Sequence, residues 1–273
     1  MYPIIISAPH AQSKIRDKKF RKRIKLSDYE IWKCSDPFTG NLKEFTCAWH
    51  KEIAKVHRLI CDLNRSPDEN AFHKYDFFKR RVFHLGQEPK EKEKQEILKN
   101  SWLPYHDNLA NKILQLDKIV ARRKGPKVIL VVEYHNTSGD HPLNQKHEYM
   151  PSIILSNLGA PKTGEAGDAG DKKNHISMPS KYLSFFKTRI SEQLKLNVEV
   201  NEIFRGGYNT RWISRLQHKL KTKSRVYVVQ VEYNLDFIFN PISKKTDKKA
   251  LQIMQKGLNK AIVKLYKYIL KTL

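Results

Sequence analysis

The chain has 273 residues, 40% of them hydrophobic and 10% aromatic, which suffices for one large domain with a buried core and excludes wholesale disorder. Its 52 Lys plus Arg against 28 Asp plus Glu give a formal net charge of +24. A field of that sign favours anionic partners and attracts nucleic acid without sequence preference.

The lysines are spread along the chain, with local runs at residues 16–25 and 244–249, and no nucleic-acid-binding motif accompanies them. The charge therefore reads first as a lysine-rich solvated surface. No apolar run approaches the roughly 18 to 20 residues that cross a bilayer. The start, Met1-Tyr2-Pro3-Ile4-Ile5-Ile6, lacks the basic region and long apolar stretch of a signal peptide, so a cytoplasmic location is expected. Cys34, Cys47 and Cys61 form no CxxC pair and are expected to be reduced thiols.

In chain order, short apolar runs predict strands over residues 3–8, 58–63, 127–134, 152–157, 198–204 and 225–233. The run K-V-I-L-V-V-E-Y at 127–134 is apolar at both parities, as in a strand buried on both faces. Leu109, Ile113, Leu116 and Ile119 repeat at helical spacing. So do Leu251, Met254, Leu258, Ile262, Leu265, Ile269 and Leu273, which predict a packing helix within residues 246–273. Residues 159–174, rich in Gly, Asp and Lys, read as a loop near a site. Strands alternating with helices predict one α/β domain spanning residues 1–273: three α/β/α layers around a mixed, mainly parallel sheet. In such sheets ligands bind beyond the carboxyl ends of the strands.

Polar residues at those ends carry the chemical reading. His10 follows the first strand. Glu133 and His135, two apart, share one strand face, as do Gln230, Glu232 and Asn234 opposite Val229, Val231 and Tyr233. A buried carboxylate needs a partner, and a metal or a metal-orienting imidazole would provide one. A plain Glu–His hydrogen bond, or an edge strand with one wet face, would place the same residues. Asp62 and Asn64 are expected on one strand face, with Arg65 next. Arg205 precedes Gly206 and Gly207, with Tyr208 and Arg211 beyond; an arginine there suits a carboxylate.

Taken together, Ser7-Ala8-Pro9-His10, Asp62-Leu63-Asn64-Arg65, Pro104-Tyr105-His106, Glu133-Tyr134-His135-Asn136, Phe204-Arg205-Gly206-Gly207-Tyr208 and Gln230-Val231-Glu232-Tyr233-Asn234 stand in the order found in N-formylglutamate amidohydrolases. The sequence resembles that family over roughly residues 3–240. It departs from it in Ala11-Gln12, where the family has Ser-Gly, and in Glu133-Tyr134-His135-Asn136, where the family has Asp-x-His-Ser. The resemblance implies a zinc carboxypeptidase-like fold and hydrolysis of a linear amide in a small anionic N-acyl amino acid. It implies that His10 and His135 bind Zn2+. The third, carboxylate ligand is expected to be Asp36, in Ser35-Asp36-Pro37, with Glu133 as the competing choice and otherwise a support for the ligands. Glu232 matches the general base, and Arg205 is expected to stabilise the oxyanion. Arg65, Asn64, Arg211, Tyr208 and Asn234 are expected at the substrate, and Gln230 and His106 behind it. A non-catalytic relative that binds an acidic ligand, and a basic nucleic-acid-binding protein, are the competing readings.

Overall fold

The computed structural model describes residues 1–142, 150–165 and 175–273. Its central sheet follows from runs too apolar to face water. The strands are β1 (Ile4–Ala8), β2 (His50–Ile53), β3 (Val128–Thr137), β4 (Ile153–Ser156), β5 (Val198–Val200) and β6 (Arg225–Asn234). β1 and β3 are buried along their whole lengths. The order is β2-β1-β3-β6-β4-β5. β2, β1, β3 and β6 run parallel, and β4 pairs antiparallel with β6 while running parallel to β5. The sheet is thus mixed and mainly parallel, as expected.

Alternation divides the core in two. Ile4, Ile6, Val128, Leu130, Val132, Val229 and Val231 face one layer, which is closed by α5 (Ser180–Leu194) and α7 (Lys248–Thr272). The predicted stripe on α7 is buried from Leu251 to Ile269, whereas Leu273 at the helix end is 44% exposed. Ile5, Ile129, Val131, Val226 and Val228 face the other layer. That layer holds α3 (Glu91–Ile97), a π-helical turn at Leu98–Trp102, α4 (Leu103–Ala121) and α6 (Tyr208–Lys219). Two short helices, α1 (Lys18–Arg23) and α2 (Asp28–Lys33), lie between β1 and β2. A two-stranded hairpin, Phe239–Asn240 with Lys245–Thr246, precedes α7. The three cysteines are free and buried, and burial pushes the Cys34 and Cys61 thiols up to about 12.

Two strand expectations fail. Residues 58–63 form turns, not a strand: the His57 carbonyl accepts from the N–H groups of Ile60 and Cys61 at 2.9 and 3.2 Å. The apolar residues there, Leu59, Ile60 and Leu63, are core members all the same, so burial rather than pairing explains the run. The edge strand is instead His50–Ile53, whose polar sequence gave no strand signal. The strand expected over 198–204 ends at Val200. The expected loop at 159–174 is turn and coil through residue 165, and its residues 166–174 lie outside the described ones.

Candidate active site

The parallel strands β1, β3 and β6 end at one edge, and their registers set polar side chains in rows across it. Ser7 pairs with Glu133, Glu133 with Gln230, and His135 with Glu232. His10 lies two residues past the end of β1. Asp36 is brought to it by the turn after Asp28–Lys33, where the Asp36 N–H donates to the His10 carbonyl at 3.0 Å. The result is a buried cluster: Nδ1 of His10 lies 3.2 Å and Nδ1 of His135 2.8 Å from the same Oδ2 of Asp36. The two imidazole rings meet edge to face at 5.0 Å.

The His10 imidazole is fixed at its other nitrogen as well. Nε2 of His10 lies 2.7 Å from Oδ1 of Asp62. Oδ2 of Asp62 accepts from Arg58 Nη2 at 2.8 Å and contacts His73 Nε2 at 2.8 Å, while the Asn64 N–H donates to Oδ1 at 2.9 Å. Arg58 Nη1 reaches Oδ1 of Asp36 at 3.7 Å, so one guanidinium braces both carboxylates. Burial alone would raise the Asp62 carboxyl, but Arg58 and His10 hold it well below the usual range. The Asp36 carboxyl, equally buried, is lowered by His10 and His135. Burial and Arg58 push the His10 imidazole down, and Asp62 and Asp36 more than reverse this, leaving it raised. Burial lowers His135 and favours its neutral form. A neutral His135 that donates from Nδ1 to Asp36 leaves a lone pair on Nε2, and that atom is buried with no hydrogen-bond partner among the described residues.

His10, Asp36 and His135 are the one cluster among the described residues whose donor atoms can converge on an ion, lying within 4.8 Å of one another. Two imidazoles and a carboxylate are a zinc-type donor set that leaves a coordination position open. Asp62 behind His10 is the carboxylate that such ligands carry. The cluster and its orphaned nitrogen fit a divalent cation. Glu133, the competing carboxylate, stays away from the cluster: Ser7 Oγ and Thr210 Oγ1 donate to it at 3.3 and 3.1 Å, and burial pushes it up to about 7.

His10, Asp36 and His135 open on a cavity of about 280 Å³ that Glu232, Gln230, Asn64, Arg65 and Arg205 also line. Gln230 Nε2 donates to Glu232 Oε1 at 2.9 Å, and Gln230 Oε1 accepts from the Gly207 N–H at 2.8 Å. Burial and the Asp36 charge push the Glu232 carboxyl well up. Gly206, at φ +116°, adopts a conformation that a side chain would strain, and a Cβ on Gly207 would collide with the Asn64 amide. The two glycines let the Arg205 loop close against the Asn64 turn.

A single match with known proteins decides the family: the model of N-formylglutamate amidohydrolases matches residues 2–239. The chain belongs to the N-formylglutamate amidohydrolase family. Amide hydrolysis is therefore its general type of activity. The crystal structure of N-formylglutamate amidohydrolase from Ralstonia eutropha JMP134 superposes with a TM-score of 0.73, covering 99% of this chain and 95% of that one at 12% identity. The crystal structure of a gene product from Agrobacterium tumefaciens gives a TM-score of 0.59 over 97% and 92% at 15% identity. At these identities both establish the N-formylglutamate amidohydrolase fold. No curated protein matches in sequence, and no helix among the described residues is long and apolar enough to cross a membrane.

Several expected substrate residues of this family member lie outside the cavity. Arg211 is on an exposed position of α6. Tyr208 joins an aromatic cluster, 6.0 Å from Trp102 and 6.2 Å from His106. His106 stacks on Trp102 at 3.5 Å, with Nδ1 2.8 Å from the Trp102 carbonyl and Nε2 2.9 Å from Asn209 Oδ1. Asn234 accepts from the Asp236 N–H at 2.9 Å and caps the turn after β6. α6 starts at Tyr208, and its helical phase carries Tyr208 and Arg211 away from the strand ends. Conversely, the bracing residues Arg58 and His73 carried no sequence expectation. The four-residue spacing of Arg58 and Asp62 is a signal only if the segment turns, whereas its apolar run predicts an extended one.

Proposed function

We propose that the chain is a zinc-dependent amidohydrolase that cleaves the amide bond of a small anionic N-acyl amino acid of the N-formylglutamate type. The observation that carries this is the convergence of His10, Asp36 and His135 in the cavity that Glu232 lines. His10, Asp36 and His135 would hold the ion. A bound divalent cation would supply a Lewis acid for the amide carbonyl and a positive charge opposing the Asp36 field on Glu232.

The chain's own groups do the rest. Glu232 takes the proton of the attacking water and returns it to the leaving nitrogen, so one carboxyl serves as base and then acid. Gln230 orients that carboxyl by donating to Oε1. Arg205 stabilises the oxyanion, and Arg65 and Asn64, which also line the cavity, receive the substrate carboxylates. Whole-chain folding as one domain serves this, because the site draws on β1, β3 and β6 together.

The test pairs metal content with turnover of N-formylglutamate. Glu232→Gln keeps zinc and loses a factor of roughly 10² to 10⁴ in kcat. His10→Ala and His135→Ala lose zinc. Wild-type turnover in the first variant, or full zinc in the other two, would overturn the assignment.

A further inference from the structure

The lining of the cavity is of two kinds: Asn64, Arg65, Arg205 and Gln230 are polar or cationic, and Phe77, Phe78, His141 and Phe204 are aromatic. Phe77, His141 and Phe204 form an arc. Phe77 and His141 have centroids 5.0 Å apart, and His141 and Phe204 6.1 Å. The arc is backed by charge: the Arg58 guanidinium lies 4.4 Å from the centre of the Phe77 ring, and the Lys33 ammonium 4.7 Å from that of Phe78. Phe77 and Phe204 are each only partly buried, so their ring surfaces are available to whatever fills the cavity.

A formyl group has one carbon and no face with which to cover such a surface. The cavity, about 280 Å³, lies close to the roughly 300 Å³ at which small-molecule sites begin. Aromatic rings pair with other rings by stacking or edge contact beyond their burial alone. We propose that the preferred substrate is an N-acyl amino acid that carries an aryl group, its carboxylate toward Arg65 and Arg205 and its ring against Phe77 and Phe204. This rests on the amidohydrolase reading and specifies its substrate class. The ring enters either as the acyl group or as the amino-acid side chain; both present the same chemistry to the arc.

Three compounds distinguish the sources: N-benzoylglutamate, N-formylphenylalanine and N-formylglutamate. Their kcat/KM values are measured on the zinc-loaded chain, and their binding by calorimetry on Glu232→Gln, which does not need turnover. At least one aryl compound is expected to exceed N-formylglutamate by roughly tenfold in both readouts. Phe77→Leu and Phe204→Leu are each expected to lower the aryl-to-formylglutamate ratio by roughly two- to tenfold. Turnover of N-formylglutamate without an aryl preference overturns this inference and leaves the amidohydrolase reading standing. Aryl-selective binding that depends on Phe77 or Phe204, with no hydrolysis of any compound, keeps the aryl-binding role of the arc but overturns its reading as a substrate site, together with the enzymatic reading. An aryl preference that survives both substitutions also overturns the arc's role.

Discussion

The turn that carries Arg58 and Asp62 depends on a histidine that must stay neutral, and this makes its stability depend on pH in a calculable way. His57 is 2% exposed. Its Nε2 lies 3.0 Å from the Ile31 carbonyl, which can only accept, and its Nδ1 accepts from the Leu59 N–H at 3.1 Å. Protonation would put a second hydrogen against the Leu59 N–H. Burial is the largest cause that brings the imidazole down from 6.5 to about 3. Between these values the unfolded chain binds a proton that the folded chain refuses. Stability from this group is therefore complete above about pH 6.5 and lost as pH falls toward 3. Integrated from pH 7 to pH 4, the loss is about 3 kcal/mol, at 1.36 kcal/mol for each pH unit over which only the unfolded chain holds the proton. That is a large share of the 5–15 kcal/mol typical of a folded domain.

The assay is urea unfolding followed by tryptophan fluorescence at pH 4, 5, 6 and 7, on wild type and on His57→Asn. Asparagine offers an acceptor near the Nδ1 position and does not titrate, but leaves the Ile31 carbonyl unpaired, at a cost of about 1–3 kcal/mol at pH 7. Asp36 and Asp62 lose stability with acid in both proteins, so the difference between the two curves isolates the histidine. The variant's deficit should shrink or reverse toward pH 4. Parallel curves across the range would refute the reasoning, since they would mean that His57 titrates alike in the folded and unfolded chains.

Asp62→Asn removes the charge that Arg58 and His10 share; it should weaken zinc binding about 10- to 100-fold in a chelator competition, and unchanged affinity in a folded variant would remove Asp62 from the support of His10. Glu133→Gln removes a carboxyl pushed up to about 7. The folded state holds that proton longer than the unfolded one, so wild type loses about 3 kcal/mol as pH rises from below 4.5 to above 7 and the variant should not, as thermal melts at pH 5 and 8 will show. Gly207→Ala forces a Cβ onto the Asn64 amide. It should cost about 1–3 kcal/mol by melting temperature and raise KM for any substrate, and a neutral result would mean that the Asn64 turn yields freely.

The parts of the fold that could be read in the sequence are those whose surroundings are uniform. β3 and β6 are buried on both faces and β1 along its length, and α7 shows its stripe because a sheet covers one side of it. The segment 58–63 is buried without pairing, and apolar runs look the same in either case. β2 pairs on one edge with a sequence, His50–Ile53, that reads as solvent-exposed. In the site, strand parity puts Glu133 with His135 on one face and Gln230 with Glu232 on another, and the family resemblance brings in His10 and Asp36. What remained hidden needed three-dimensional phase: which way α6 points Arg211 and Tyr208, and that Arg58 lies one turn from Asp62.

The charge count in the cluster explains why its parts are arranged as they are. Asp36 and Asp62 are both buried and both held ionised, with one fixed cation, Arg58, touching the two. The His10 ring lies between the same two carboxylates and takes a share of the remaining negative charge. Glu232, close enough to feel Asp36, is pushed toward its protonated form by burial and by that charge. A buried region with this excess is costly unless a further cation enters or a proton is retained. The orphaned nitrogen of His135 marks the side on which a cation would find a lone pair. The buried carboxylates that position the imidazoles thus also create the field that would draw a divalent ion to them, and such an ion would oppose the Asp36 charge that raises Glu232.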